Sequence, residues 1–214
     1  MNQKKIGRLH VLTDFRFQQR YSHAELAALA IDGGADTIQL REKRQEIRHI
    51  LRQADEVAEV CARRATTFLV NDRIDVALAS NADGVHLGQT DFPLHRARGL
   101  AGDDAIIGVT ATTLEEALDA ASEGADYIGF GPVFHTQSKK NPASVKGLEL
   151  LGVVCQQVDI PVIAIAGISV HRIEPVFEAG AFGVAVMSAV TLATDPADAT
   201  ARLRAVIDEI LGVT

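Results

Sequence analysis

The chain has no tryptophan and only two tyrosines beside eight phenylalanines, although 47% of it is apolar. Its core must therefore be filled mainly by Val, Ile, Leu and Ala, residues suited to a parallel sheet buried on both faces. Two cysteines, Cys61 and Cys155, are too few for a disulfide framework, and both fall in helix-like stretches, so buried thiols are expected. No run of 18 apolar residues occurs, which speaks against a transmembrane span. The opening stretch MNQKKIGRLHVLTD has no apolar segment long enough for a signal peptide, and a cytoplasmic location is expected. Linker-like Pro/Ser-rich, low-complexity or single-sign charged tracts are also missing, so residues 1–214 read as one domain. A formal net charge of -7 argues against general affinity for nucleic acid. It leaves room for a small anionic ligand, because a few basic side chains can converge locally.

What is present is a repeat of short β-branched runs and amphipathic stretches. The runs are Leu9–Leu12, Thr37–Leu40, Thr67–Val70, Gly84–Leu87, Ile106–Val109, Tyr127–Phe130, Val162–Ile165 and Gly183–Val186. They recur every ~20–35 residues, as βα units do. Helical patterns lie at Ala24–Ile31, Ile47–Ala62, Leu114–Ala121, Leu148–Cys155, Arg172–Ala179 and Ala197–Leu211. The joints repeat too. Gly33-Gly34-Ala35-Asp36, Asn81-Ala82-Asp83-Gly84, Glu123-Gly124-Ala125-Asp126 and Ala179-Gly180-Ala181-Phe182 each stand just before a strand. Each offers a Gly or Asn that can end a helix in the left-handed conformation. Eight such units suit either an open doubly wound sheet or a closed (β/α)8 TIM barrel. The barrel is favoured, because no dinucleotide-type glycine-rich loop follows the first run.

In such barrels chemistry sits at the C-terminal strand ends, and unusual polar residues gather there. After the second run, alternation sends Gln39, Arg41 and Lys43 to one side, where the two cations form a candidate anion clamp or a solvated basic loop. Asp72 and Asp91 follow the third and fourth runs. Two carboxylates with room for water suit Mg2+, which takes oxygen ligands and usually binds through substrate phosphates. Helix capping is the competing reading: Asp72 before Ile74–Ser80, and Asp91 before a helix with Pro93 at its first position. After the sixth run, a loop from Gly131 to about Lys146 carries Thr136, Ser138 and Lys139, which could hold a phosphate and close as a lid. Gly167 after the seventh run, and Met187 and Ser188 after the eighth, lie where many barrels bind a monophosphate.

These stretches resemble the thiamine-phosphate synthase family. The matching segments are Gln39–Lys43, Asn71–Ala79, Ala82–Gln89, Gly129–Phe134 and Ile160–Ile168, in the family's order across nearly the whole chain. The thiazole tautomerases form a sister group with the same fold. The resemblance implies a transferase. A hydroxymethylpyrimidine diphosphate would lose pyrophosphate, and a thiazole phosphate would attack the resulting cation. It also implies Mg2+ on Asp72 and Asp91. Pyrophosphate contacts would come from Arg41, Lys43, Asn71 and Lys139, and a pyrimidine contact from Gln39. Contacts to the thiazole phosphate would come from Thr136, Ser138, Gly167 and Ser188. Small-molecule substrates are the expected partners, with no nucleic acid and no membrane, and a homo-oligomer stays open.

Some positions depart from the family pattern. Thr110 keeps a hydroxyl where the synthases use Ser for pyrophosphate. Thr112 stands where both groups often have His, and a Thr hydroxyl is a poor acid or base near neutral pH. His135 replaces a common Pro, and Ala166 a common Gly. Two alternatives accompany the synthase reading. One is a tautomerase-type relative that only binds thiazole phosphates or has altered chemistry. The other is a different phosphate-binding barrel enzyme, such as a sugar-phosphate epimerase.

Overall fold

Alternation with period two sends successive side chains to opposite faces of a strand, so a closed barrel needs apolar residues on both. A computed structural model of the chain describes residues 6–16, 19–136 and 144–213. Its elements alternate. They are β1 (Leu9–Thr13), α1 (His23–Asp32), β2 (Thr37–Leu40), α2 (Ile47–Arg64), β3 (Thr67–Asn71), α3 (Ile74–Ala79), β4 (Gly84–Leu87), α4 (Leu94–Ala101) and β5 (Ile106–Ala111). Then come α5 (Leu114–Ser122), β6 (Tyr127–Phe130), α6 (Gly147–Gln157), β7 (Val162–Ile165), α7 (Val170–Glu178), β8 (Gly183–Val186), α8 (Ser188–Thr191) and α9 (Pro196–Leu211). The strands pair in parallel, in chain order, and β8 closes on β1. This is a (β/α)8 TIM barrel.

The two faces of the sheet build two cores. Leu12, Leu69, Ile106, Tyr127, Ile163 and Ala185 meet inside the barrel. Outward residues such as Val11, Ile38, Val85, Leu87 and Ile128 pack against the helices. Burying one such aliphatic side chain is worth roughly 1.5–3 kcal/mol. Both cysteines are free, and burial pushes Cys61 up to about 12 and Cys155 up to about 11. Cys61 is buried and Cys155 half-buried, so thiolate formation is disfavoured at both. No described helix is long and apolar enough to cross a membrane.

The four joints adopt the expected left-handed turn, with φ 92° at Gly34, 51° at Asn81, 89° at Gly124 and 96° at Gly180. Their aspartates do more than end a helix. Asp36 accepts from the Arg8 and Leu9 N–H groups at 2.9 Å, Asp83 from Phe68 N–H at 2.8 Å, and Asp126 from Ile107 N–H at 2.7 Å. Each carboxylate therefore pins the start of a neighbouring strand. Phe182 takes this place in the fourth joint, under the Arg8 guanidinium at 4.1 Å.

The elements differ from the expected ones at a few ends. β3 runs on to Asn71 and β5 to Ala111, so Asn71 and Thr110 sit in the sheet rather than in loops. One helix was not anticipated, α8, with only four residues, too short for a periodicity to show. Pro93 is the N-cap of α4 rather than its first residue.

Candidate active site at the barrel mouth

A cavity of about 350 Å3 opens at the C-terminal ends of the strands. Its acidic side is built by two loops. Asp72 follows β3 with φ 65°, a left-handed conformation that Asp tolerates better than most residues. Its N–H donates to His86 O at 2.8 Å, which ties the turn to β4. Asp91 accepts from Gly88 N–H at 2.7 Å, which folds the loop after β4 back over the mouth. The two carboxyl groups meet. The Asp91 carboxyl is held above the usual carboxylate range, first by burial and then by its hydrogen-bonding contact with Asp72. Lys43 Nζ closes the group with a 2.6 Å ion pair to Asp72. Neither helix-capping reading survives. The N-cap of α3 is Arg73 and that of α4 is Pro93, and neither helix has a side-chain cap.

Arg41 lies beside this group and is itself anchored. Its guanidinium pairs with Asp14, a carboxylate only 5% exposed just after β1, and its N–H donates to Thr13 O at 3.0 Å. Behind Asp14, His23 Nδ1 bonds Thr13 Oγ1 at 2.7 Å, and Glu42 lies 3.9 Å from His23 Nε2. Gln39 and Asn71 face the cavity from β2 and β3, both nearly buried. Among the described residues Asn71 Nδ2 has no hydrogen-bond partner, which leaves it a buried donor available to an acceptor in the cavity.

The opposite wall carries hydroxyls and backbone. Thr110 on β5 bonds His86 Nε2 through its Oγ1 at 2.8 Å, and its carbonyl accepts from Gln89 Nε2 at 2.5 Å. Thr112 donates its hydroxyl to Glu116 at 2.9 Å. Ala166 and Gly167 turn away from β7 with φ 79° and 69°. A Cβ at Gly167 would meet Phe134 Cβ and His135 O at 2.7 Å, so only Gly lets the loop after β6 pack there. Arg172 secures this turn, donating to Gly167 O at 2.7 Å with its guanidinium 4.6 Å over Phe134. Met187, Ser188 and Thr136 border the same end of the cavity. Lys146 N–H donates to Pro132 O at 2.8 Å, which joins the two ends of the long loop.

Comparison with known proteins gives this arrangement a family. Residues 9–190 match the family described as thiamine monophosphate synthase. The thiamine-phosphate synthase of Salinibacter ruber is 58% identical over 209 residues, covering 98% of this chain and 92% of that one. The chain belongs to the thiamine monophosphate synthase family. A second relative, the thiamine-phosphate synthase of Methanocella arvoryzae, is 51% identical over 94% of this chain and 95% of its own. Among solved structures, thiamine phosphate pyrophosphorylase from Pyrococcus furiosus superposes with a TM-score of 0.88 at 40% identity, covering 96% of this chain and 97% of that one.

In this thiamine monophosphate synthase family member the residues expected at the site converge. Gln39, Arg41, Lys43, Asn71, Asp72 and Asp91 line one half of the cavity. Thr110, Thr136, Gly167, Met187 and Ser188 line the other. Ser138 and Lys139 lie outside the described residues. Sequence reasoning missed Asp14, His86 and Tyr127 as site-building groups. Asp14 gave a signal, being an acid two residues beyond inward-facing Leu12. His86 and Tyr127 become partners only through the register of the barrel.

Proposed function

We propose that the barrel mouth joins hydroxymethylpyrimidine diphosphate to hydroxyethylthiazole phosphate, giving thiamine monophosphate and pyrophosphate. Membership of the family makes the chain a transferase. The observation that carries the reading is the contact of Asp72 with Asp91 beside Lys43. Two carboxylates forced together in a partly buried site repel, and a divalent cation relieves that repulsion. The donor set fits Mg2+, since hard oxygen ligands from two side chains leave positions for diphosphate oxygens and water. When bound there, Mg2+ supplies electrostatic stabilisation of a departing diphosphate.

The residues of the chain supply the rest. Arg41, held by Asp14, and Lys43 are preplaced cations. Together with the buried Asn71 amide they receive negative charge as the carbon–oxygen bond to the diphosphate breaks. Such groups stabilise the transition state more than the ground state and so raise turnover. Thr110 would contact the same leaving group, as would Lys139. Gln39 would orient the pyrimidine ring from the cavity floor. Gly167, Ser188, Met187, Thr136 and Ser138 would hold the thiazole phosphate so that its ring nitrogen faces the reacting carbon. The new carbon–nitrogen bond then forms without a dedicated acid or base, and alignment supplies much of the acceleration.

A tautomerase-type binding module draws less support. Thr112 stands where proton transfer would need a histidine, and its hydroxyl is engaged by Glu116. The deciding experiment measures pyrophosphate release by purified protein with Mg2+ and both substrates, alongside a thiazole-isomerisation assay. Release that requires both substrates is the expected result. Isomerisation without release would replace the transferase reading.

A further inference from the structure

Inside the barrel a polar column runs from Tyr127 through His86 to Thr110, and glycines make room for it. The register places His86 opposite Gly108, and Gly108 opposite Tyr127, in one rung across β4, β5 and β6. Gly108 has no side chain, so the Tyr127 ring lies over it, where any Cβ would collide. One rung higher, Thr110 pairs with Gly129, and a Cβ at Gly129 would sit 2.7 Å from His86 Cε1. The two missing side chains let the rings stack with centroids 5.4 Å apart. Tyr127 Oη then lies 2.9 Å from His86 Nδ1, and Thr110 Oγ1 lies 2.8 Å from His86 Nε2.

We infer that His86 is a positioning residue that aims the Thr110 hydroxyl proton into the cavity, and that Tyr127 selects the imidazole tautomer that does so. The inference rests on the reading of Thr110 as a contact to the departing diphosphate.

The direction follows from donor and acceptor bookkeeping. Tyr127 is 1% exposed, and burial pushes its hydroxyl far above the usual tyrosine range, so it always carries a proton. Among the described hydrogen bonds its acceptor is His86 Nδ1. A proton on Nδ1 would leave that buried O–H without an acceptor, a state disfavoured by roughly tenfold or more. Nδ1 therefore accepts, and the imidazole proton resides on Nε2. Nε2–H donates to Thr110 Oγ1, which leaves the Thr110 proton turned to the cavity. The opposite tautomer would draw the Thr110 proton back to Nε2 and show the diphosphate only lone pairs. One buried phenol thus decides whether Thr110 attracts or repels the leaving anion. Position 110 suits this task, because a β-branched side chain on a strand has few χ1 choices.

The test reads the tautomer and the kinetics separately. Protein labelled with 15N histidine is examined without substrate by long-range proton–nitrogen NMR, with the His86 signals assigned from the His86→Gln variant. A neutral ring protonated at Nε2 is expected in the wild type. Tyr127→Phe should mix the tautomers and lower kcat by roughly tenfold to a hundredfold. His86→Gln keeps an N–H donor for Thr110 and should retain far more turnover than His86→Leu, which covers the case in which Tyr127→Phe does not fold. A wild-type ring protonated at Nδ1, or an imidazolium, would overturn the inference. So would Thr110→Val at full turnover, or His86→Leu turning over as fast as His86→Gln. If the Nε2 tautomer is found but the wild type releases no pyrophosphate, the assigned reaction fails and the aiming role goes with it, while the tautomer signal shows which of the two claims broke.

Discussion

Asp72 occupies a left-handed backbone angle, and this governs how its role is best tested. Alanine there would add strain to the loss of the carboxylate, whereas asparagine tolerates the angle and keeps the shape. Asp72→Asn should therefore fold normally and lose turnover by about 10²- to 10³-fold. A thermal melt beside a pyrophosphate-release assay checks both halves. Arg41 differs, because its removal takes the ion pair from the buried Asp14 carboxylate and leaves it the Arg16 N–H. Arg41→Ala should lose turnover and also about 3 kcal/mol of stability, read by denaturant unfolding. A variant with intact kinetics would remove Arg41 from the site. The acidic pair and the cations were legible in the sequence because each follows an apolar run at a strand end. Asp14 was not singled out, because its one mark, an acid two residues beyond inward-facing Leu12, carries weight only once the barrel register is known.

At the level of elements, the joints explain why so much of the architecture could be read in advance. A left-handed Gly or Asn before each even-numbered strand is a local requirement, so it leaves a local mark. The aspartate that follows works at a distance. Asp126 takes Ile107 N–H and also pairs with Arg98 at 2.6 Å, joining two strands and a helix. Asp126→Ala should cost about 2–3 kcal/mol, seen as a shifted denaturation midpoint with an unchanged slope. Ala166 shows the reverse case, a β-carbon held at φ 79°. Ala166→Gly relieves that strain but gains freedom in the unfolded chain, so stability should rise by no more than about 1 kcal/mol. A fall in stability would show that Ala166 fits its turn without strain. The His86–Tyr127 pair could not be read beforehand. It depends on which residues face each other across three strands, and sequence order does not state register.

For the molecule as a whole, the polar interior sets a pH limit. Burial lowers His10 and His23 to about 4, well under the ordinary histidine value. The folded protein keeps both neutral while the unfolded chain takes up protons below about 6.5. Their contribution is therefore complete above that pH and is lost as the pH falls toward 4. By pH 4.5 each histidine should have removed about 2–3 kcal/mol, which unfolding curves between pH 7 and 4.5 would show. His23→Gln should flatten that dependence.

The central claim concerns one ion shared by two carboxylates beneath a diphosphate. Calorimetric titration of Mg2+ into the protein with pyrophosphate present tests it most directly. Wild type should bind pyrophosphate at least about tenfold more tightly with Mg2+ than without, and Asp72→Asn and Asp91→Asn should each abolish that gain. Equal Mg2+ enhancement in all three proteins would contradict the account.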